Sequence, residues 1–445
     1  MTDTGTAKRT FQVVSSSTSQ ENPEPKVQLP KTLVLAIGAG GIAITTFIAE
    51  LLEEISSKVD ALQILAVDTD ARTLRKAHKK NIPTITLDSR GHGAGGKAEN
   101  AEKMVREKKQ EFENAFEGLD LVIIVTSHGG GTGSGASIVL AEIAKEKGAK
   151  VIAMVQVPLT SENRGPRLKS TLVDLHENVD GICVIDSDPV FKILAQKADM
   201  FNESFDSLYK AVGQRLLSIL AIVLGDTQDW VIDISDINAC MMGDEQDNKQ
   251  DGNSNFRTFY IGIQDLIQKS EEDPPDSIEK EFEEILAGYF SRFKDLCGAI
   301  NLILVNVAPR RKGDKLTIGD QRKLTDLLKK FTEENDPPPI KFGTMSFDFD
   351  EENPLPHISL VATLRGGKEI LFTQPEDEGG EETQAQHSEP QTAVRQKGWF
   401  KRFFCRTLSV LFSPFKTIAF VWCRFWALVL GTPGKGLSKM DDYDS

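Results

Sequence analysis

The stretch Gly129-Gly130-Gly131-Thr132-Gly133-Ser134-Gly135 decides how this chain folds. It follows the apolar run Leu121-Val122-Ile123-Ile124-Val125, which reads as a buried strand. It precedes Ala136-Ser137-Ile138-Val139-Leu140-Ala141-Glu142-Ile143-Ala144, which reads as a helix. Glycines, a Thr and a Ser thus fill the passage from strand end to helix start. Such a passage lets backbone N–H groups approach a ligand closely. The helix N-terminus adds unpaired donors and partial positive charge, and together these suit phosphate. A flexible linker is the plainer alternative, but linkers are not wedged between a buried strand and an apolar helix.

A second such passage lies upstream. The run Leu33-Val34-Leu35-Ala36-Ile37 leads into Gly38-Ala39-Gly40-Gly41 and an apolar helix expected to reach Leu52. This spacing fits a dinucleotide fingerprint ending at Ala43. Asp68 and Asp70 close the next strand, at 62–67, where a ribose-binding acid would sit. Two readings stay open at this point: a nicotinamide or flavin enzyme, or the first phosphate loop of another nucleotide-binding fold. The glycine stretch at 129–135 favours the second, because a Rossmann oxidoreductase needs no further loop of that kind.

Composition narrows the function classes. The chain has 445 residues and a net charge of −14, which disfavours nucleic acid as a partner. From 391 to 440 there are nine Lys/Arg and no Asp or Glu, which leaves −23 for the rest of the chain. An acidic body with a basic tail implies a separate anionic partner for the tail. The five cysteines are scattered without metal-site spacing, so no metal site is expected and a reduced, cytoplasmic compartment fits. No signal peptide is expected, since the first apolar run begins only at Leu33.

The glycine stretch Gly129 to Gly135 resembles the phosphate-binding signature of the tubulin/FtsZ superfamily, and further segments extend the likeness. Asp68-Thr69-Asp70-Ala71 resembles that family's Asn-Thr-Asp-Ala, with Asp68 in the Asn position. Gly91-His92-Gly93-Ala94-Gly95-Gly96-Lys97-Ala98-Glu99 is similar to the family's loop at the terminal phosphate, with Lys97 as a departure. Pro158-Leu159-Thr160-Ser161-Glu162-Asn163-Arg164 is similar to a segment whose Glu holds the ribose and whose basic residue reaches the nucleotide. Arg164 and Arg167 both qualify for the basic role. Asp186-Ser187-Asp188 stands where the family has Pro-Asn-Asp, so Ser187 replaces a base-contacting Asn. Phe201 and Asp206 recur at the family's spacing for ring stacking and guanine recognition. A carboxylate can accept from both N1–H and the exocyclic amine of guanine. Val231-Ile232-Asp233-Ile234-Ser235-Asp236-Ile237 resembles the catalytic loop, with Val231 in the family's Asn position. Asp233 and Asp236, three apart, share one face of a helical turn.

The resemblance implies an α/β fold: a Rossmann-like parallel-sheet GTPase domain at 31–202, a central helix at 203–225, and a smaller α+β domain at 226–365. The nucleotide-binding set is then Gly38, Ala39, Gly40, Gly41, Asp70, Gly93, Ala94, Gly95, Gly96, Gly129, Gly130, Gly131, Thr132, Gly133, Ser134, Glu162, Arg164, Arg167, Phe201 and Asp206. Asp233 and Asp236 become catalytic residues acting on the nucleotide of the next subunit. The implied ligand is GTP or GDP, with Mg2+ admitted alongside it, and the implied partner is the chain itself in a head-to-tail filament.

Around this body the chain carries appendages: a tail at 1–30, an acidic linker at 366–398, a segment at 399–431 and a terminus at 432–445. Between 399 and 430 lie ten Phe and Trp residues. On a helical projection Arg402, Arg406, Lys416 and Arg424 form one stripe. Phe404, Leu411, Phe415 and Trp422 lie near the opposite side, and Trp399 opens the segment. A basic stripe, a wide aromatic face and no acid describe a helix lying in an anionic membrane surface. No charge-free run reaches the ~20 apolar residues a span requires. The expectation is a helical membrane tail and a peripheral location on the inner face of the cell membrane. The alternatives are packing of this helix on the protein's own body and a spanning or re-entrant placement.

Overall fold

The computed structural model describes residues 29–88, 90–162, 165–188, 201–224, 226–227, 257–263, 280, 282–283, 285–286, 300–307, 317–332, 340–346 and 358–365. Residues 244–255 and 271–276, which the sequence reads as loops, lie outside the described residues, as do 231–237, 366–398 and 399–431, where a catalytic loop, a linker and a membrane helix are expected.

The first half alternates strand and helix. In order it runs β1 (Thr32–Ile37), α1 (Gly38–Phe47), α2 (Ala49–Lys58), β2 (Leu62–Asp68), α3 (Ala71–His78) and β3 (Thr84–Thr86). It continues through α4 (Ala98–Glu107), α5 (Lys109–Ala115), β4 (Leu121–Ser127), α6 (Gly131–Glu146), β5 (Lys150–Val157), α7 (Gly165–Asn178), β6 (Gly181–Asp186) and the long α8 (Phe201–Leu224). Strands β1 to β6 pair in parallel in the order β3-β2-β1-β4-β5-β6. A parallel sheet needs cover on both faces, and the residues of β1 supply it by alternation. Leu33, Leu35 and Ile37 pack with Val105, Phe112, Val139 and Leu172 of α4 to α7. Val34 faces the other way, with Ile44, Leu52 and the α8 residues Val212, Leu216 and Leu220.

Two helices break where the sequence pattern predicts continuity. The helix expected to reach Leu52 stops at Phe47, turns at Ile48 (φ −102, ψ 17) and resumes as α2. The Thr45 and Thr46 hydroxyls donate to the carbonyls of Gly41 and Ile42, bonds that bend helices. At the break a Cβ on Gly213 of α8 would meet Ile48 Cγ2 at 2.6 Å, so this glycine admits the close crossing. Residues 98–117 also read from the sequence as one amphipathic, highly charged helix, and this one divides at Lys108.

Beyond Leu224 the described elements are β7 (Asp226–Thr227), β8 (Arg257–Ile263), β9 (Ile300–Val307), α9 (Ile318–Thr332), β10 (Ile340–Ser346) and β11 (Ile358–Arg365). β11 runs antiparallel to β8 and β9, and β10 parallel to β9. The sequence reads as strands over 301–307, 340–349 and 357–364 and as a helix within 316–331, and β9, β10, β11 and α9 lie close to these places.

Candidate functional site

In an open parallel sheet, ligands bind outside the strand carboxyl ends where the strand order reverses. Here that point lies between β1 and β4, neighbours in the sheet whose connections leave in opposite directions. The two glycine passages are the segments that follow these two strands. The sheet order therefore brings together what the sequence separates by some ninety residues.

Each passage turns directly into a helix. Gly38 (φ +71) already begins α1, a conformation only glycine adopts without strain. Five of the seven residues in the stretch at 129–135 form the first turn and a half of α6; only Gly129 (φ +92) and Gly130 precede it. This corrects the expectation of a loop through Gly135. The glycines of α6 serve packing as well as ligand approach. A Cβ on Gly133 would lie 2.2 Å from the Ser127 carbonyl, and one on Gly135 would lie 2.0 Å from that of Ala98. A Cβ on Gly131 would meet Ala94 at 2.8 Å and the Lys97 nitrogen at 2.9 Å. So α6 is drawn against both the end of β4 and the start of α4. On the other side, Gly41 holds α1 to β4, where a Cβ would sit 2.1 Å from the Val125 carbonyl. A Cβ on Gly38 would sit 3.0 Å from the Gly133 nitrogen, so the starts of α1 and α6 touch.

Three helix starts, those of α1, α4 and α6, meet around this point, and none has a side-chain cap. The first turns of α1 and α6 contain no acid. Uncapped N–H groups and three converging dipoles make a site for an anion of several charges. Ala39 is exposed, Gly40, Gly129 and Gly130 are half-buried, and Gly95 and Gly96 are exposed with left-handed backbones. These residues border open space. The segment bearing Gly93 to Gly96 is held to the floor by Gly93 N donating to Thr69 O and by Asn100 Nδ2 donating to Ala94 O.

Beneath the anion site lies a buried polar cluster. Thr132 Oγ1 and Thr69 Oγ1 are 2.7 Å apart. Asp68, 3 % exposed, accepts from Thr69 N at 2.6 Å, from Asp70 N at 3.3 Å and from the Thr69 hydroxyl at 3.5 Å. Burial pushes its carboxyl above the usual carboxylate range against the pull of those donors. Asp70 itself caps α3 through Arg72 N, and the Arg72 side chain holds its pKa down. Ser134 Oγ accepts from Gly129 N and closes the turn ahead of α6.

His128, next to the glycine stretch, is fully buried. Its Nε2 lies 3.2 Å from Ser137 Oγ and its Nδ1 lies 3.3 Å from Thr171 Oγ1, which ties α6 to α7. Burial pulls its pKa to about 3, so the ring stays neutral. His128 is a structural member of the site that motif reading passes over. Its signal is position alone, since it adjoins a residue the motifs single out.

The far end of the crevice is built differently. Glu162 Oε1 accepts from Leu159 N within a short 3-10 turn, Thr160–Glu162. Asp188 accepts from Thr160 N and its hydroxyl, which fastens this turn to the end of β6. Ser187 accepts from Gln156 Nε2 and donates to Val157 O, while Gln156 Oε1 is buried without a hydrogen-bond partner. On α8, Asp206 is exposed, and Phe205 and Tyr209 pair with ring centroids 6.1 Å apart. Burial raises the Tyr209 hydroxyl, and the charges of Asp206 and Glu162 add to it, which places both acids near one phenol. Tyr209 is thus a candidate the sequence did not single out; its cue is the i, i+4 spacing from Phe205.

Several expected residues carry no structural account. Arg164, Asp233 and Asp236 lie outside the described residues, as do Trp399, Arg402, Phe404, Arg406, Leu411, Phe415, Lys416, Trp422 and Arg424. Arg167 and Phe201 stand in the first turns of α7 and α8, and nothing is described of their side chains. Among the described residues no cluster of three His, Cys, Asp or Glu could hold a metal, and no helix is long and apolar enough to cross a membrane.

Residues 31–195 match the Tubulin/FtsZ family GTPase-domain model. The domain at 31–195 belongs to the tubulin/FtsZ superfamily. Superfamily relatives include Cell division protein FtsZ 1 of Pyrococcus furiosus, 33% identical over 41% of this chain and 52% of the relative. Cell division protein FtsZ of Neisseria gonorrhoeae is 29% identical over 47% of this chain and 52% of its own length. The chain thus spans about half the length of these curated relatives. Among superfamily structures, the empty FtsZ dimer of M. jannaschii superposes with a TM-score of 0.57 at 20% identity, covering 76% of this chain and 89% of that one. A GTPyS-form protofilament of TubZ from Bacillus thuringiensis superposes at 0.54 with 15% identity, covering 77% and 90%. At these identities the structures establish a shared fold.

Proposed function

We propose that the protein is a GTPase that stacks head to tail into filaments and is held on membrane by its C-terminal segment. The observation that carries this is the meeting of three uncapped helix starts at the strand-order reversal of a tubulin/FtsZ-family domain. The phosphates of GTP or GDP lie between Gly38–Gly41 and Gly129–Ser134 and are covered by Gly93–Gly96. Glu162 and either Arg164 or Arg167 hold the ribose end, and Phe201 and Asp206 take the guanine. Mg2+ is held chiefly by the phosphates and water, in keeping with its usual coordination. Asp233 and Asp236 of one subunit act on water at the nucleotide of the next, and residues 226–365 form the domain that carries them. The contact is heterologous and does not close.

The aromatic and basic segment at 399–431 then lies in an anionic bilayer surface, beyond the flexible linker at 366–398. A second reading, a membrane-bound scaffold that binds GTP with little turnover, draws on the departures at Asp68, Ser187 and Val231. A phosphate-release assay at rising protein concentration separates the two. Turnover per subunit should climb with concentration in the wild type and fall at least tenfold in Asp233→Ala and Asp236→Ala. A wild type that binds GTP but releases no phosphate at any concentration supports the scaffold. Truncation at 398 should abolish sedimentation with anionic liposomes while leaving GTP hydrolysis in place.

A further inference from the structure

A carboxylate buried under a polyphosphate site sets a problem in electrostatics. The Thr69 hydroxyl links Asp68 to Thr132 in the first turn of α6, and the starts of α1 and α6 contain no acid or base to offset the carboxylate. An arriving phosphate therefore meets an unneutralised negative charge in a region of low dielectric, where repulsion is strong.

We propose that Asp68 is a positioning residue that acts through the Thr69 and Thr132 hydroxyls and couples phosphate binding at the α1/α6 crevice to the uptake of one proton. The inference rests on the nucleotide-binding reading above. When Asp68 is ionised it can only accept, so it holds the Thr69 hydroxyl proton at 3.5 Å, and Thr69 Oγ1 is left to accept from Thr132 Oγ1 at 2.7 Å. When Asp68 gains a proton it can donate to Thr69 Oγ1, and Thr69 can then donate to Thr132 Oγ1. The Thr132 proton is then free to turn toward a phosphate oxygen beside the N-terminus of α6. One proton taken from solvent thus removes a repulsive charge and adds a donor. Asp68 is already raised by burial, and a phosphate nearby raises it further.

The charged groups around Asp68 do not replace this role. Asp70, on the same turn, adds negative charge and is paired with Arg72. On the segment after β3, Asp88 accepts from Arg90 N and His92 N and lies beside the Arg90 side chain. Lys97 caps α4 with its side chain in solvent and is not among the groups that shift Asp68.

The sign follows from linkage. The bound state holds its proton to higher pH than the free state, so affinity is full at low pH and lost as pH rises through the window above the usual carboxylate range. Calorimetry of GDP binding to the full chain, in two buffers of different ionisation enthalpy, counts the protons taken up. Subtracting the Asp68→Asn profile removes the titration of the nucleotide itself. The wild type should take up close to one proton more than Asp68→Asn. Its affinity relative to that variant should weaken by about tenfold per pH unit within the window. Thr132→Ser, which keeps the hydroxyl, should keep the wild-type profile, and Thr132→Val should lose the low-pH gain. Identical proton counts in wild type and Asp68→Asn, with GDP bound by both, overturn the coupling and leave the nucleotide site standing. Failure of the wild type to bind GDP at any pH overturns both.

Discussion

The two ends of the crevice are made of different material. The phosphate end is backbone: glycines of α1 and α6 pressed against β4 and α4 at distances no side chain could tolerate, with Asp68 and His128 sealed beneath. The other end is side chain: Glu162 bonded within a local turn, Asp188 tying that turn to the end of β6, and Asp206 exposed beside the half-buried Tyr209 on α8. The contrast teaches where chemistry and stability are separable. At the phosphate end the same atoms hold the fold and line the site, so a change there alters both. At the far end a side chain can be exchanged with little effect on the fold.

Perturbations should rank accordingly. The largest effect is expected for Gly133→Ala and Gly135→Ala, whose new methyl groups collide with backbone carbonyls. Overpacking of this kind costs about 1–3 kcal/mol or more, so urea unfolding should shift strongly and GDP binding should disappear. Gly131→Val should behave similarly by displacing residues 94–97. If Gly135→Ala unfolds like the wild type, the close packing of α4 on α6 is wrong.

His128 gives the next effect. Its folded-state pKa of about 3 lies below the ordinary value of 6.5, so the unfolded chain takes up the proton first. Stability is therefore intact above pH 6.5 and falls as pH drops toward the folded value, by roughly 2 kcal/mol between pH 7 and pH 5. Urea titrations of His128→Gln should lack that part of the acid sensitivity. Equal slopes in the two proteins would place the acid sensitivity elsewhere.

At the exposed end Asp206→Asn should leave unfolding unchanged. It should cost guanine nucleotides about 1–3 kcal/mol of affinity while adenine nucleotides are little affected. The smallest effect is expected for Arg72→Ala, which breaks the surface pair with Asp70. Exposed pairs contribute about 0–1 kcal/mol, and both unfolding and binding should stay near wild type.

The same contrast explains what was legible in the sequence. Parallel strands buried on both faces read as continuous apolar runs, so β1, β4 and β5 stand out unaided. Glycine punctuation marked that a helix follows each of β1 and β4. The boundary of α6 was misplaced because Gly131 to Gly135 look like a loop by propensity, whereas close contact with β4 and α4 selects glycine inside a helix. The division at Ile48 was hidden because its cause is tertiary, a crossing with Gly213 more than 160 residues away. Asp68 read as a departure from a motif; that it is buried and linked through Thr69 to Thr132 depends on the pairing of β1 with β2 and β4. Tyr209 stayed hidden because an aromatic on an apolar helix resembles core.

The central claim is that the crevice between β1 and β4 holds a guanine nucleotide by its phosphates. The most direct measurement is the identity and amount of nucleotide released when the purified full chain is denatured after incubation with an equimolar mixture of GDP, ADP, NAD and FAD. The account predicts close to one guanine nucleotide per chain, lost in Gly131→Val and kept in Arg72→Ala. Release of a dinucleotide, or of no nucleotide, would contradict it.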